Sequence, residues 1–199
     1  MAPLPLRFET LRGDGLQPWL PQLARLRIAV FREWPYLYDG DEAYERRYMA
    51  SYAAGQGAAV IACLDGDRAV GAATCEPMAE THAAVRDSFT AAGLDPAGYC
   101  YFGESVLLAP YRGRGAGVEF FHRRETHAAS LGLRRTAFCA VARDPADPRR
   151  PADYTPLDGF WRKRGYAPLE GVSCRFSWKG PGEAAEQEHR LDFWHKALA

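Results

Sequence analysis

Glu104-Ser-Val-Leu-Leu-Ala-Pro-Tyr-Arg-Gly-Arg-Gly-Ala-Gly117 decides the reading of this chain. An apolar run ends at Pro110. Then come Arg112, Gly113, Arg114, Gly115, Ala116 and Gly117, three glycines and two arginines in six residues. A helical pattern starts at once, with Val118, Phe121, Ala128 and Leu131 read on one face. Strand, glycine turn and helix together aim bare backbone N–H groups at an anion. The first amides of a helix lack carbonyl partners, and the helix dipole favours negative charge there. Glycine lets a ligand approach the main chain, and two arginines add charge. The segment reads as a cradle for a diphosphate.

Two nucleotide motifs are excluded. A P-loop needs Gly-x-x-x-x-Gly-Lys-Ser/Thr, and no Lys-Ser or Lys-Thr follows here. A dinucleotide fingerprint needs Gly-x-Gly-x-x-Gly with an acid at the end of the next strand. Here the spacing is Gly113-x-Gly115-x-Gly117, and the next apolar run, 135–141, ends without an acid.

The pattern resembles the coenzyme A site of the GNAT acetyltransferase superfamily, whose Arg/Gln-x-x-Gly-x-Gly/Ala lies between a fourth strand and a third helix. Arg112-Gly-Arg-Gly115-Ala-Gly117 matches it, and Phe160-Trp-Arg-Lys-Arg-Gly165-Tyr166 resembles the family's Phe-Tyr-x-x-x-Gly-Phe segment. The resemblance covers most of residues 4–178 and implies an acetyl-CoA-dependent N-acetyltransferase. It also implies that Val106, Leu107 and Leu108 offer backbone to the pantetheine arm, and that the amides of 113–117 take the diphosphate.

Composition suits one domain over residues 1–199 with a sizeable core. Twenty-five basic and 25 acidic residues cancel, so no general attraction to nucleic acid or membrane is implied. The start of the chain reads as no signal peptide, and no apolar run reaches the length of a membrane span. Five scattered cysteines without a Cys-x-x-Cys pair suggest reduced thiols in a cytoplasmic protein. The histidines form no metal-ligand set with them, and no metal is expected.

Periodicity predicts strands over 4–11, 58–64, 68–75, 99–108 and 135–141, with a hairpin at Asp65-Gly66-Asp67. It predicts helices over 17–32, 42–54 (capped by Asp41), 115–131 and 157–164, and a helical stretch over 79–92. Residues 142–156 form a long loop, 166–169 and 173–178 a terminal hairpin, and 183–198 a last helix carrying Leu191, Trp194 and Leu198. The fold class is therefore α/β, with a mixed, mostly antiparallel sheet of about seven strands flanked by helices, plus an extra C-terminal helix.

Glu104 is the candidate catalytic base. A carboxylate in an otherwise apolar strand is costly unless it has a partner or a task, and partial burial would raise its pKa. Many members of the family place a glutamate here, acting on the amine through water. A structural ion pair across the sheet is the other reading. The general acid is missing from its family position, where Trp161 replaces the usual tyrosine, and an indole N–H is no such acid. Tyr154, Tyr166 and Cys139 are spare candidates. Trp34, Tyr36 and Tyr38, with the acids around them, suit a cationic amine. The expected partner is a small-molecule amine, with a homodimer possible. A non-catalytic acyl-CoA-binding domain and a protein N-acetyltransferase are the alternatives.

Overall fold

The computed structural model describes residues 5–199. The chain runs β1 (Arg7–Leu11), α1 (Leu20–Phe31), α2 (Glu42–Ala54), β2 (Ala59–Asp65), β3 (Arg68–Pro77), α3 (Ala83–Ala91), β4 (Tyr99–Tyr101), β5 (Ser105–Leu107) and α4 (Ala116–Ser130). It continues with β6 (Arg135–Val141), α5 (Asp158–Arg162), β7 (Ala167–Trp178) and β8 (Gln187–Ala197). A 3-10 turn, Gly13–Trp19, leads into α1. The sheet order is β1-β2-β3-β4-β6-β8-β7, with β5 paired to β3. The β4–β6 pair is parallel and the others are antiparallel. No helix among the described residues is long and apolar enough to cross a membrane.

Alternation along β2 explains the layers. Val60, Ala62 and Leu64 join the core under α1 and α2, whereas Ile61 and Cys63 pack with Ala116 and Phe120 of α4. α3 extends the first layer over Tyr101 and Cys139. α5 extends the second, through Trp161 near Phe121 and Phe138.

Four expectations need correcting. Residues 183–198 hold no helix. β8 runs there and sits inside the sheet between β6 and β7. It is covered on both faces, Leu191 and Phe193 on one and Trp194 on the other, so its sequence lacks the alternation that marks a half-buried strand. The expected hairpin of 166–169 with 173–178 is one strand, β7. Both halves pair with β8, and a register shift between Pro168 and Ser173 replaces the turn. The expected strand 99–108 is broken into β4 and β5, so eight strands replace about seven. In α4, Val118 and Leu131 are exposed. The buried stripe is Ala116, Phe120, Phe121, Arg124, His127 and Ala128. The first strand begins at Arg7, and Leu4 lies outside the described residues.

Local chemistry fixes the remaining elements as read. Asp41 is extended (φ −106°), and its Oδ1 accepts the Tyr44 amide at 2.8 Å, an N-cap for α2. Asp41→Ala should cost about 1 kcal/mol, read as a lower melting temperature with an unchanged denaturant slope. The five cysteines are buried and free.

Candidate active site

The break between β4 and β5 builds the site. β4 stays bonded to β6 as far as Phe102, whose amide donates to the Ala137 carbonyl at 2.8 Å. From there the two paths part. Phe102-Gly103-Glu104 is instead tied to Thr74 of β3: the Gly103 amide reaches the Thr74 carbonyl at 3.3 Å, and the Glu104 amide reaches Thr74 Oγ1 at 3.1 Å. Glycine is required at the break, because a Cβ on Gly103 would lie 2.6 Å from Thr74 Oγ1. β5 then pairs only with β3. Its other edge faces a V-shaped cleft opposite β6.

The glycine turn lies at the mouth of that cleft. Gly113 (φ +74°) and Gly115 (φ +88°) take left-handed conformations, which turn the chain into α4. The amides of residues 113–117 have no backbone acceptor among the described residues, so a run of N–H groups points outward at the positive end of a helix. Gly113, Gly115 and Gly117 all line the cleft. Its volume is about 1380 Å³, above the roughly 300–1,000 Å³ of pockets for drug-sized ligands. There is room for a long ligand and a second molecule.

The two arginines of the turn differ. Arg112 donates from Nε to the Leu107 carbonyl at 3.0 Å and from Nη2 to Glu33 at 2.7 Å, so it ties the end of α1 to β5. Arg114 sits over the Tyr111 ring and borders a second, smaller hollow with Phe8 and Glu119. Leu107 lines the cleft, while the Val106 side chain is buried under α1 and α2. Leu108 and Ala116 pack into the core layers rather than the cleft wall.

Glu104 lies at the apex of the V, buried, on the α1–α2 face. Its Oε1 contacts Arg27 of α1, and its Oε2 accepts the Tyr48 hydroxyl at 3.1 Å. Arg27 also donates to Glu45, which is fully buried. Burial opposes the charge on Arg27, but Glu104, Tyr48 and Glu45 outweigh it and hold the guanidinium well above its usual pKa. Tyr48 continues to Tyr52 at 3.1 Å, and Tyr52 accepts from Thr74 at 3.2 Å. Two carboxylates thus share the Arg27 guanidinium beside the cleft.

Trp34 and Tyr36 line the cleft on the same side. Tyr38 does not: it packs near Ile28 and interacts with Glu45. Arg143, where β6 ends, holds this loop by donating to the carbonyls of Pro35 and Tyr36, both at 2.6 Å. Trp178 Nε1 adds a bond to the Tyr36 carbonyl at 3.1 Å. Of the spare acids, Tyr166 is engaged by Thr136 and Glu125 and stands outside the cleft lining. Tyr154 lines the cleft edge-on to Trp34. Cys139 also lines it, and hydrogen bonds from Cys174 and then Tyr101 hold its thiol below the usual range against burial. Trp161 is wedged between Phe138 and Trp194, 5.0 Å from each ring.

No family model and no curated protein matches the sequence. Solved structures do match. The GCN5-related N-acetyltransferase from Kribbella flavida aligns over 97% of this chain and 98% of its own, with TM-score 0.58 and 16% identity. The yncA protein of Salmonella typhimurium, solved with its cofactor acetyl-CoA, covers 98% and 94%, with TM-score 0.59 and 14% identity. The fold is that of the GNAT superfamily. Ribosomal-protein-alanine N-acetyltransferase from Brucella melitensis also matches, with TM-score 0.61, 14% identity and coverage of 98% and 100%. Within the GNAT fold, sequence reasoning missed Arg27, Tyr48, Arg124 and Arg143. The first and third had a signal: each is a charged residue at an apolar phase of its helix.

Proposed function

We propose that this protein is an acetyl-CoA-dependent N-acetyltransferase that moves an acetyl group directly to a small-molecule amine. The observation that carries the reading is the V between β5 and β6, with an unpaired strand edge on one wall and free helix-start amides at the mouth. The edge suits the amide-bearing pantetheine arm, and the amides suit the diphosphate. Bound acetyl-CoA supplies an activated thioester. The chain supplies position and charge. Glu104, one of two carboxylates on Arg27, draws a cationic amine to the apex and takes its proton through water. Trp34 and Tyr36 offer ring faces beside it. The loop 142–156, pinned to Pro35 and Tyr36 by Arg143, narrows the acceptor side and favours a small amine over an extended peptide.

Coenzyme A near a hundred times its dissociation constant should stabilise the fold by about 2.7 kcal/mol, roughly 5–10 °C in melting temperature. A panel of amines with acetyl-CoA and a thiol reporter then tests turnover. Free thiol released only with amine present supports the enzyme. Stabilisation without release for any amine leaves an acyl-CoA-binding domain.

A further inference from the structure

Arg124 of α4 is 2% exposed, and no carboxylate among the described residues pairs with it. Buried charges are normally paired, because desolvation of a lone ion is expensive. Nε of Arg124 donates to the Phe120 carbonyl at 3.2 Å, and Nη1 reaches the carbonyls of Glu104 at 3.2 Å and Thr74 at 3.4 Å. The guanidinium lies over the Phe102 ring at 4.3 Å and near Phe121 at 4.9 Å. Nη2 has no protein partner among the described residues, and Arg124 lines the cleft. Burial lowers its pKa from the usual value, yet arginine stays charged in proteins.

Its place in the V is informative. Arg124 follows the start of α4 by eight residues, about 12 Å at the helical rise. It therefore lies at the apex while the free amides lie at the mouth. Glu104 occupies the α1–α2 side of the same point, and Arg124, bonded to the Glu104 carbonyl, occupies the α4 side. Trp161, which cannot give a proton, is on that second side too. Holding three carbonyls calls for donors, which a neutral side chain could provide. Glu104 lies close enough to favour the charge but makes no ion pair with it, and Nη2, without a protein acceptor and at the cleft, is the donor left over for an anionic ligand.

We infer that Arg124 stabilises the thiolate of coenzyme A as it leaves, doing by charge what a proton-donating tyrosine would do by transfer. This rests on the proposed acetyltransferase reading. The amine nitrogen forms the new C–N bond, the thioester C–S bond breaks, and sulfur departs with the electron pair beside the guanidinium. The cationic amine gives one proton through water to the Glu104 side before it attacks, and the nitrogen sheds its second to solvent water as the amide forms. Arg124 gives up no proton, and the thiolate is protonated from solvent on release.

The test compares binding of coenzyme A and its desulfo analogue by calorimetry from about pH 7 to pH 9.5, across the ordinary thiol pKa of about 8.5. With Arg124 in this role, coenzyme A gains roughly 10- to 100-fold over the analogue as the thiol ionises. Thiolate absorbance of the bound ligand then appears at least about one pH unit below that of free coenzyme A. Arg124→Met should abolish both effects, bringing the two ligands to the same affinity at every pH. Equal affinity of the two ligands at every pH in the wild type overturns the inference, whether or not the variant folds, and leaves the acetyltransferase reading standing. Binding of neither ligand removes that reading and the inference together.

Discussion

Arg27→Met should cost about 3–5 kcal/mol of stability, a large share of the total for a domain of this size. Arg27 is nearly enclosed, lies over the Tyr48 ring at 4.1 Å, and is the cation shared by Glu45 and Glu104. Methionine fills much of the same volume, so packing alone predicts a modest loss. The larger effect comes from stranding two carboxylates. Glu45 has no route to solvent, being fully buried. Urea denaturation with an unchanged m-value should report the loss. Adding Glu45→Gln and Glu104→Gln to Arg27→Met removes both stranded charges and should return a large part of it. A loss near 1 kcal/mol for the single variant would mean that the three groups are hydrated in solution and that the cluster contributes little to the fold.

The same residue shows what the sequence made legible. Residues 17–32 read correctly as containing a helix, and the apolar stripe of Leu20, Leu23, Ala24 and Phe31 was visible. Arg27 falls in phase with that stripe, and polarity alone sends it to the surface. Its apolar phase is the one local sign of burial; the partners that allow it, Glu45 and Glu104, are distant in sequence, so no local pattern names them. Arg124 and His127 mislead in the same way in α4. Apolar residues were assigned inward, so Val118 and Leu131 took places that belong to Arg124 and His127. His127 is held instead by the Gly57 carbonyl at 2.9 Å and by Arg12 at 2.8 Å.

The glycine turn was legible because its signal is local: left-handed glycines, a helix start and charge within six residues. The hairpin at Gly66 and the Asp41 cap were legible for the same reason. The last strand was not. Leu191, Trp194 and Leu198 lie three and four apart, which satisfies a helix, and only the neighbouring strands β6 and β7 make extension the better choice. The break at Gly103 was equally hidden. It is fixed by Thr74 on the neighbouring strand β3 and by Tyr52 of α2, and it is what opens the cleft.

Glu104→Gln should slow turnover by roughly 10²–10⁴ while leaving stabilisation by coenzyme A unchanged. The variant is informative because the cluster holds two carboxylates for one guanidinium. Removing the Glu104 charge leaves Arg27 paired to Glu45, and the amide oxygen introduced by the substitution can still accept the Tyr48 hydroxyl. The fold should therefore tolerate this change far better than Arg27→Met. What is lost is the carboxylate at the apex, the group able to take a proton from the amine. An ion pair of purely structural purpose makes the opposite prediction: lower stability and little change in turnover per folded molecule. Measuring melting temperature and kcat on the same preparation separates the two, and unchanged kcat would take Glu104 out of the reaction and leave it as the partner that holds Arg27 against the sheet.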